Sequence, residues 1–406
     1  MNHAGKRPLY EGWRWVRLGT ICEKINYGFT ASADFTATEP RFLRITDIQN
    51  GKVNWETVPG CRIIPRDAEE NSLADGDIVF ARTGGTTGKT LLIEQPPAAV
   101  FASYLIRMRL KKEANPEYIY AFFQSNDYWQ QIRLNARGGA QPNLNATLLS
   151  NLKIPLPPLT EQKRIATILN EQMATVERAR AATQAQLEAA RALPAAYLRE
   201  VFNSPEAQKW PRKRLGEVCR LLPSKSISTN GDVEVCAITT ACLSETGFQP
   251  SGVKRARMNV KDVAECKVSS GEILVARSNT PELVGRVAMF EEEPKGVVAS
   301  DLTIRLFPDH TVNSFFLAAY LSFLYSTGYW KERAGGASGS MKKITRRQIQ
   351  EQGVPIPSLA EQRKVAAILK ELMMGVRHLN KVLQEELEAI GDLPTNLLRR
   401  AFSGNI

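Results

Sequence analysis

Histidine is scarce in this chain of 406 residues, which contains only His3, His310 and His378. None of the three neighbours a cysteine or a carboxylate at metal-ligand spacing, so the sequence predicts no metal site. Neither H-E-x-x-H nor G-x-S-x-G occurs. These absences argue against the zinc peptidases and the serine hydrolases that are built on those two motifs.

The six cysteines are scattered along the chain, and none forms a C-x-x-C pair. This spacing indicates reduced thiols rather than a disulfide framework, and it predicts a cytoplasmic protein. No run of 18 apolar residues occurs, and Lys6 and Arg7 are not followed by the apolar core of a signal peptide. We therefore expect neither secretion by a standard signal nor a membrane-spanning segment.

Sequence motifs of DNA-modifying enzymes are also missing. An amino-type DNA methyltransferase carries [DNS]-P-P-[YFW], whereas the two Pro-Pro pairs here stand in the contexts QPPA and LPPL. Pro308-Asp309 has no E-x-K partner close behind it, so no nuclease cluster of that type is recognisable. The sequence therefore predicts a chain that is not an enzyme.

Residues 81–90, ARTGGTTGKT, look like a phosphate-binding loop but lack its spacing. The P-loop needs four residues between its first glycine and its Gly-Lys pair, whereas only three separate Gly84 from Gly88. The matching segment of the second half, 277–286, has Arg286 in place of the lysine, and Pro96 interrupts the helix that should follow the first loop. We reject a nucleotide-hydrolysing function on these grounds.

The charge is strongly basic, with 53 Lys+Arg against 42 Asp+Glu and a net charge of +11. Such an excess suits a polyanionic partner, because each neutralised phosphate releases condensed counterions. Charge alone does not separate specific recognition of nucleic acid from non-specific contact.

The sequence contains an internal repeat. Residues 151–169 read NLKIPLPPLTEQKRIATIL and residues 351–369 read EQGVPIPSLAEQRKVAAIL, at one constant offset. The segments before the two blocks are also similar, though less closely, as in GDIVFART at 76–83 and GEILVARS at 271–278. The repeat predicts a globule at 1–150, a helical region at 151–203, a second globule at 204–350 and a second helical region at 351–406.

In each helical region a Pro-rich run should form an extended strap before a long helix. We predict Thr160 as the N-cap of the first helix, Glu161 in its first turn, and a Leu-Pro pair at the end of each helix, at Pro194 and Pro394. Short tail helices would follow these prolines.

Apolar residues recur every seven positions along both helices, which predicts a coiled-coil-like seam. The rows of this seam are Leu169, Val176, Thr183 and Ala190 with Met173, Arg180 and Leu187 in the first helix, and Leu369, Val376, Leu383 and Ile390 with Met373, Asn380 and Leu387 in the second. Neither helix can bury its seam alone, so we expect the two to pack against each other in antiparallel orientation. The seam is structural, and residues beside it are candidates for docking partner helices.

Each globule shows short strand-like runs, such as 77–82 and 104–110, and one aromatic-rich helical segment, at 116–135 or 315–330. Aromatic residues in such a segment are more typical of a core than of base stacking. The fold class expected is therefore α+β, with two mixed α/β globules joined by two long helices and related by an internal pseudo-twofold repeat.

Two Gly-rich loops per globule combine cations with amides or hydroxyls, which are the groups that contact phosphates and base edges. The first follows a central strand and the second precedes the helical region. Our candidate DNA-binding residues are Arg82, Thr83, Lys89, Arg137, Gln141 and Asn143 in the first half, and Arg277, Ser278, Asn279, Arg286, Ser338, Lys342 and Lys343 in the second.

The repeated P-x-P-x-L-x-E-Q block, the paired strand-and-loop segments and the W-x-x-x-x-L-G-x-x-C starts resemble the DNA-specificity subunit of type I restriction–modification enzymes. This resemblance covers nearly the whole chain. It implies two target-recognition domains on a bipartite double-stranded DNA sequence, with the helix pair as a ruler between the halves. The family's loop glutamine matches Gln141, whereas the second copy has Ser338 nearby.

The resemblance also implies two methylation subunits as partners, with restriction (translocase) subunits joining for cleavage. S-adenosylmethionine and ATP would then belong to those partners, and no cofactor to this chain. Two other functions stay open from the residues. A freestanding adaptor would not bind duplex DNA, and an enzyme with an unrecognised site would turn over as a single purified chain.

Overall fold

The computed structural model describes residues 12–37, 39–49, 51–135, 144–227, 231–338 and 340–406. The chain divides into two compact units: unit 1 comprises Met1–Ala182 and Leu387–Ile406, and unit 2 comprises Thr183–Glu386. Among the described residues, no helix has the length and apolar character that crossing a membrane requires.

Unit 1 is a mixed α/β globule. Its strands are β1 (Arg14–Arg17), β2 (Cys22–Tyr27), β3 (Ala33–Asp34), β4 (Arg41–Leu43), β5 (Ile48–Gln49), β6 (Lys52–Val53), β7 (Gly60–Cys61), β8 (Ile78–Ala81), β9 (Thr90–Leu92), β10 (Ala99–Phe101), β11 (Leu105–Leu110) and β12 (Lys153–Leu156). Its helices are α1 (Pro65–Glu70), α2 (Pro116–Gln124), α3 (Asn126–Asn135) and α4 (Ala146–Asn151), followed by the start of α5 (Leu159–Phe202).

Unit 2 repeats this plan. Its strands are β13 (Arg212–Arg214), β14 (Cys219–Leu222), β15 (Val233–Ile238), β16 (Leu243–Ser244), β17 (Gly247–Phe248), β18 (Lys254–Met258), β19 (Ile273–Ala276), β20 (Ser278–Asn279), β21 (Val287–Met289), β22 (Val298–Ala299), β23 (Thr303–Pro308), β24 (Gly335–Ser338), β25 (Met341–Lys343) and β26 (Gly353–Pro355). Its helices are α6 (Pro205–Gln208), α7 (Leu215–Val218), α8 (Val260–Cys266), α9 (Ser314–Ser326), α10 (Tyr329–Arg333), α11 (Arg346–Gln350) and α12 (Leu359–Ala401), whose last turns belong to unit 1.

The central sheets of the two units have the same order, β2-β11-β8-β9 in unit 1 and β14-β23-β19-β21 in unit 2. Each Pro-rich run is an extended strand that pairs antiparallel with the first strand of its unit, β12 with β1 and β26 with β13. The internal repeat predicted from sequence is thus confirmed, and the strap is a strand.

One face of each central sheet packs on the aromatic-rich helices. In unit 1, Phe80 of the sheet contacts Phe123 of α2 with ring centroids 4.9 Å apart, and Tyr118, Phe122 and Tyr128 are buried in the same core. The interpretation of these aromatics as core residues is confirmed, because rings buried in this way have no face left for a base.

The long helices run for 44 residues (α5) and 43 residues (α12). The first predicted row of the α5 seam is buried throughout, from Leu169 to Ala190. In the second row Leu187 is buried and Met173 half-buried, but Arg180 is exposed, so its place in the seam was wrong. A guanidinium pointing into water avoids the desolvation that an apolar seam would impose on its charge.

Two predicted helix ends were also wrong. Both helices continue through Pro194 and Pro394, so the expected tail helices are their last turns. A proline there forfeits one backbone hydrogen bond; burial of the residues that follow it, such as Phe202 in the unit 2 core, offsets that loss. Thr160 is not the N-cap either, because α5 begins at Leu159 and the Pro158 carbonyl accepts its first amide bonds.

Each unit holds the beginning of one long helix beside the end of the other. In unit 1, Ile165 and Leu169 of α5 share a core with Leu398 and Phe402 at the end of the chain. In unit 2, Leu198 shares a core with the first turns of α12. This arrangement confirms the antiparallel course of the helices.

The glutamine of the repeated E-Q motif attaches each helix to its globule. Gln162 is buried; its Oε1 accepts from the Asn115 amide at 2.8 Å, and its Nε2 donates to the carbonyls of Glu113 and Pro157. The Asn115 side chain in turn caps α2. Gln362 makes the same three kinds of bond in unit 2. The motif is therefore a structural joint.

Candidate nucleic-acid interface

The first loop of each unit connects two antiparallel strands, β8 with β9 in unit 1 and β19 with β21 in unit 2. Gly88 and Gly285 both adopt positive φ, and the amide of each donates to the last residue of the preceding strand. At Gly285 an added Cβ would lie 2.5 Å from the Trp330 ring, so close packing requires glycine there. The strands β9 and β21 follow these loops instead of a helix, which agrees with the rejection of a P-loop.

Hydrogen bonds bring the two predicted loops of each unit together at one arginine. The Arg82 amide donates to the Tyr104 carbonyl at 3.0 Å, and the Arg82 carbonyl accepts from the Leu144 amide at 3.0 Å. Leu144 lies near the end of the second loop, which spans 136–145 in the sequence. Arg82 therefore lies where the end of the central strand meets the second loop.

Arg277 occupies the equivalent junction in unit 2. Its amide donates to the Leu302 carbonyl at 2.8 Å, and its carbonyl accepts from the Ile344 amide at 2.8 Å. The amide and the carbonyl of each arginine are both hydrogen-bonded, so the backbone from which each side chain extends is fixed.

In unit 1 the Arg82 guanidinium lies over the Tyr27 ring, 4.7 Å from its centroid. The Tyr27 hydroxyl accepts a hydrogen bond from the Ala146 amide at 3.1 Å, which links the tyrosine to the helix after the second loop. Thr83 is half-buried and Lys89 is exposed on the first loop. The predicted residues Arg137, Gln141 and Asn143 lie outside the described residues.

In unit 2 the second loop forms a ribbon that joins the first loop. β24 pairs with β25, and β25 pairs with β20, in the register Ser278 with Lys343 and Asn279 with Lys342. The backbone of Ser338 pairs with Met341 at the outer end of this ribbon. Lys343 is exposed and Lys342 half-buried. Most of the predicted unit 2 residues thus lie on this ribbon, with successive side chains on its opposite faces, and the ribbon is a candidate DNA-contacting surface.

A second arginine, Arg346, lies near Arg277, and its Nη1 and Nη2 donate to the Leu222 and Leu221 carbonyls, each at 3.0 Å. Burial, and then the Arg277 charge, lower the pKa of the Arg346 guanidinium. Arg277 donates through Nη1 to the Asp301 carbonyl at 3.3 Å, while its buried Nε has no hydrogen-bond partner among the described residues. Arg346 therefore adds positive charge beside Arg277, while its guanidinium is held by backbone carbonyls of unit 2.

Arg286 does not join this surface. Its guanidinium faces the Tyr325 ring at 5.7 Å, and its Nη1 donates to the Leu243 carbonyl at 3.3 Å. These contacts occupy the side chain within unit 2, although Arg286 matches the exposed Lys89 in the repeat.

Sequence reasoning missed Tyr27 and Arg346, along with the exposed apolar residues Tyr104, Leu302 and Met341. The equivalence of Tyr104 and Leu302 follows only from the strand register, because the sequence repeat aligns Tyr104 with Asp301. No group of His, Cys, Asp and Glu in the described part of the chain could hold a metal ion.

A family model described as the type I restriction–modification DNA-specificity domain matches residues 10–189 and 207–389. The chain belongs to this type I DNA-specificity family. The two matches fall one on each half of the internal repeat, so the family's domain occurs twice here, and the chain is identified as a type I specificity subunit.

Curated relatives of this family match along the whole chain. The StySPI specificity subunit of Salmonella potsdam is 23% identical over 100% of this chain and 91% of its own length. The EcoKI specificity subunit of Escherichia coli is 23% identical over 99% of this chain and 90% of its own length. Both are described as specificity subunits of type I restriction enzymes.

Solved structures show the same fold. A chain from work on complex assembly and conformational transition of the type I restriction–modification system has a TM-score of 0.73, at 23% identity, and covers 99% of this chain and 100% of its own. The HsdS subunit from Thermoanaerobacter tengcongensis has a TM-score of 0.63 at 22% identity, with 99% of both chains covered. The predicted fold class is thereby confirmed.

Proposed function

We propose that the chain recognises a bipartite DNA sequence, with the paired loops of each unit contacting one half of the target. The observation that carries this proposal is the repeated junction, in which Arg82 and Arg277 are each held between a central strand and the loop before the helical region. Arginine at such a place suits guanine O6/N7 or phosphate. The family names of the relatives support the same conclusion.

The two halves of the target should differ in sequence. Around the shared arginine, unit 1 places Tyr27, whereas unit 2 places Arg346 and the ribbon that carries Lys342 and Lys343. Sequence readout depends on which side chains meet the base edges. Surfaces that are equivalent in backbone but different in side chains therefore favour an asymmetric target.

The helices α5 and α12 serve, in this proposal, as a ruler for the unspecified gap and as the docking site for two methylation subunits and, for restriction, two translocating nuclease subunits. Their outward faces are largely exposed along most of their length. The chain itself would have no catalytic activity, and S-adenosylmethionine and ATP would be bound by the partners. It would act in the cytoplasm, where genomic DNA is accessible.

We propose the limits of the target-recognition domains as 1–150 and 204–350, and those of the helical regions as 151–203 and 351–406. Under this division each recognition domain contains its whole central sheet and both of its loops.

Selection from a random duplex library tests the proposal, using the chain co-expressed with its methylation subunit. We expect two short fixed blocks separated by a gap of fixed length. A well-formed complex that enriches no sequence would refute sequence recognition and favour an adaptor protein whose basic charge serves non-specific contact. Catalytic turnover by the purified single chain would refute the non-catalytic role.

A further inference from the structure

Two equivalent positions beside the loop arginines carry large side chains that face solvent. The side chain of Tyr104 is 63% exposed in unit 1, and that of Leu302 is 42% exposed in unit 2. The register shows their equivalence, since the next residues, Leu105 and Thr303, pair with the last residues of β8 and β19.

The backbone at both positions is held by hydrogen bonds to the loop arginines. The carbonyl of Tyr104 accepts the Arg82 amide, and the carbonyl of Leu302 accepts the Arg277 amide. The residue that follows each is fully buried in a central strand. Each exposed side chain therefore stands next to the arginine of its unit and is anchored by the sheet behind it.

The chemistry of these positions complements that of the arginines. Arginine donates to guanine or phosphate, whereas an apolar side chain in the major groove packs against the C5 methyl group of thymine. Leu302 offers only apolar contact. Tyr104 offers an aromatic face and also a hydroxyl, which makes no hydrogen bond to the described residues. The same backbone position would thus read different bases in the two halves.

We propose that Tyr104 and Leu302 are specificity-determining residues, and that Leu302 contacts the methyl group of a thymine in the second half-site. This inference rests on the proposed function, because it takes the loop surfaces to be the DNA-reading surfaces.

The test compares thymine with uracil, which lacks only the methyl group, at each thymine of the selected second half-site. Binding of the complex with the methylation subunit is measured for wild type, Leu302→Ala and Leu302→Met. Burial of one methyl group corresponds to about a fourfold difference in affinity. We expect about that loss at one thymine for wild type and Leu302→Met. The Leu302→Ala variant should bind thymine and uracil duplexes equally.

Val260→Ala is the matched control, since Val260 is an apolar residue of unit 2 that is 63% exposed on α8 and not on the loops. It should retain the wild-type sensitivity to uracil. Tyr104→Leu should change the base preference in the first half-site and leave the second unchanged.

Three results would overturn the inference: no thymine in the second half-site, no effect of uracil at any position, or undiminished sensitivity in Leu302→Ala. In each case the selected half-sites would still stand, so the proposed function would survive. Failure to select any sequence would instead overturn the proposed function and the inference with it.

Discussion

The Gln362 joint allows the sharpest prediction about stability. Its side chain is 0% exposed, and it makes three hydrogen bonds: one from the Asn313 amide at 2.8 Å, and two to the carbonyls of Thr311 and Pro357 at 3.2 and 2.9 Å. Asn313 also caps α9, since its side chain accepts from the Phe316 amide at 3.0 Å. The joint thus links the start of α12 to the start of α9.

Gln362→Met keeps the volume of the side chain and removes all three bonds. Each contributes about 1 kcal/mol net, and leaving their buried partners unpaired adds to the cost, so we expect a loss of ~3–5 kcal/mol. Urea unfolding followed by tryptophan fluorescence would measure the loss. Hydrogen exchange at the first amides of α9 would show whether it is local to the joint.

Gln384→Met is the matched control, because Gln384 is an exposed glutamine on the same helix. It should change the unfolding free energy by less than about 0.5 kcal/mol. An equally small effect at Gln362 would refute the reasoning, since the motif glutamine would then not hold the helix to its globule.

Three further predictions concern the loops and the thiols. Arg82→Ala should weaken binding to the first half-site by about tenfold or more and leave affinity for the second half-site unchanged. Equal loss of affinity at both half-sites would contradict the proposal that each unit recognises its own half-site. Gly285→Ala should destabilise unit 2 by ~2–4 kcal/mol in thermal unfolding, because its Cβ would meet Trp330, whereas Gly296→Ala, also at positive φ but with open space, should cost about 1 kcal/mol. In thiol labelling at pH 8, Cys236 should react first, because burial raises the pKa of the other five thiols; rapid labelling of those five in the folded chain would contradict the buried environments.

Much of the fold could be predicted from the sequence because the chain repeats itself. The constant offset between the two E-Q blocks indicated two globules alternating with two helical regions. The aromatic-rich segments were recognisable as core helices. The helix ends at Pro194 and Pro394 were not predictable from local rules, since those rules treat proline as a terminator. Burial of Phe202 and Phe402 in the globules outweighs that local preference.

The candidate site was predictable only in part. Composition identified the two loops of each unit, because glycines, cations and amides concentrate there. Their connection through the backbone of Arg82 and Arg277 depends on strand register, which residue types do not specify. Residue type was misleading at Arg286. Its charge suggested DNA contact, but in the fold its guanidinium faces the Tyr325 ring. Exposed apolar residues such as Leu302 are indistinguishable from core residues until burial is known.

In the proposed function each unit recognises one half-site and the helix pair sets the length of the gap between them. Shortening the helices tests this most directly. We would delete one heptad from each helix, residues 177–183 and 377–383, which leaves Leu169 and Leu369 in their cores. Seven helical residues span about 10.5 Å, or about 3 base pairs. Mapping of the methylated sites in cells that express the complex should recover both half-sites unchanged, with a gap altered by about that length. Altered half-sites with an unchanged gap would contradict the account.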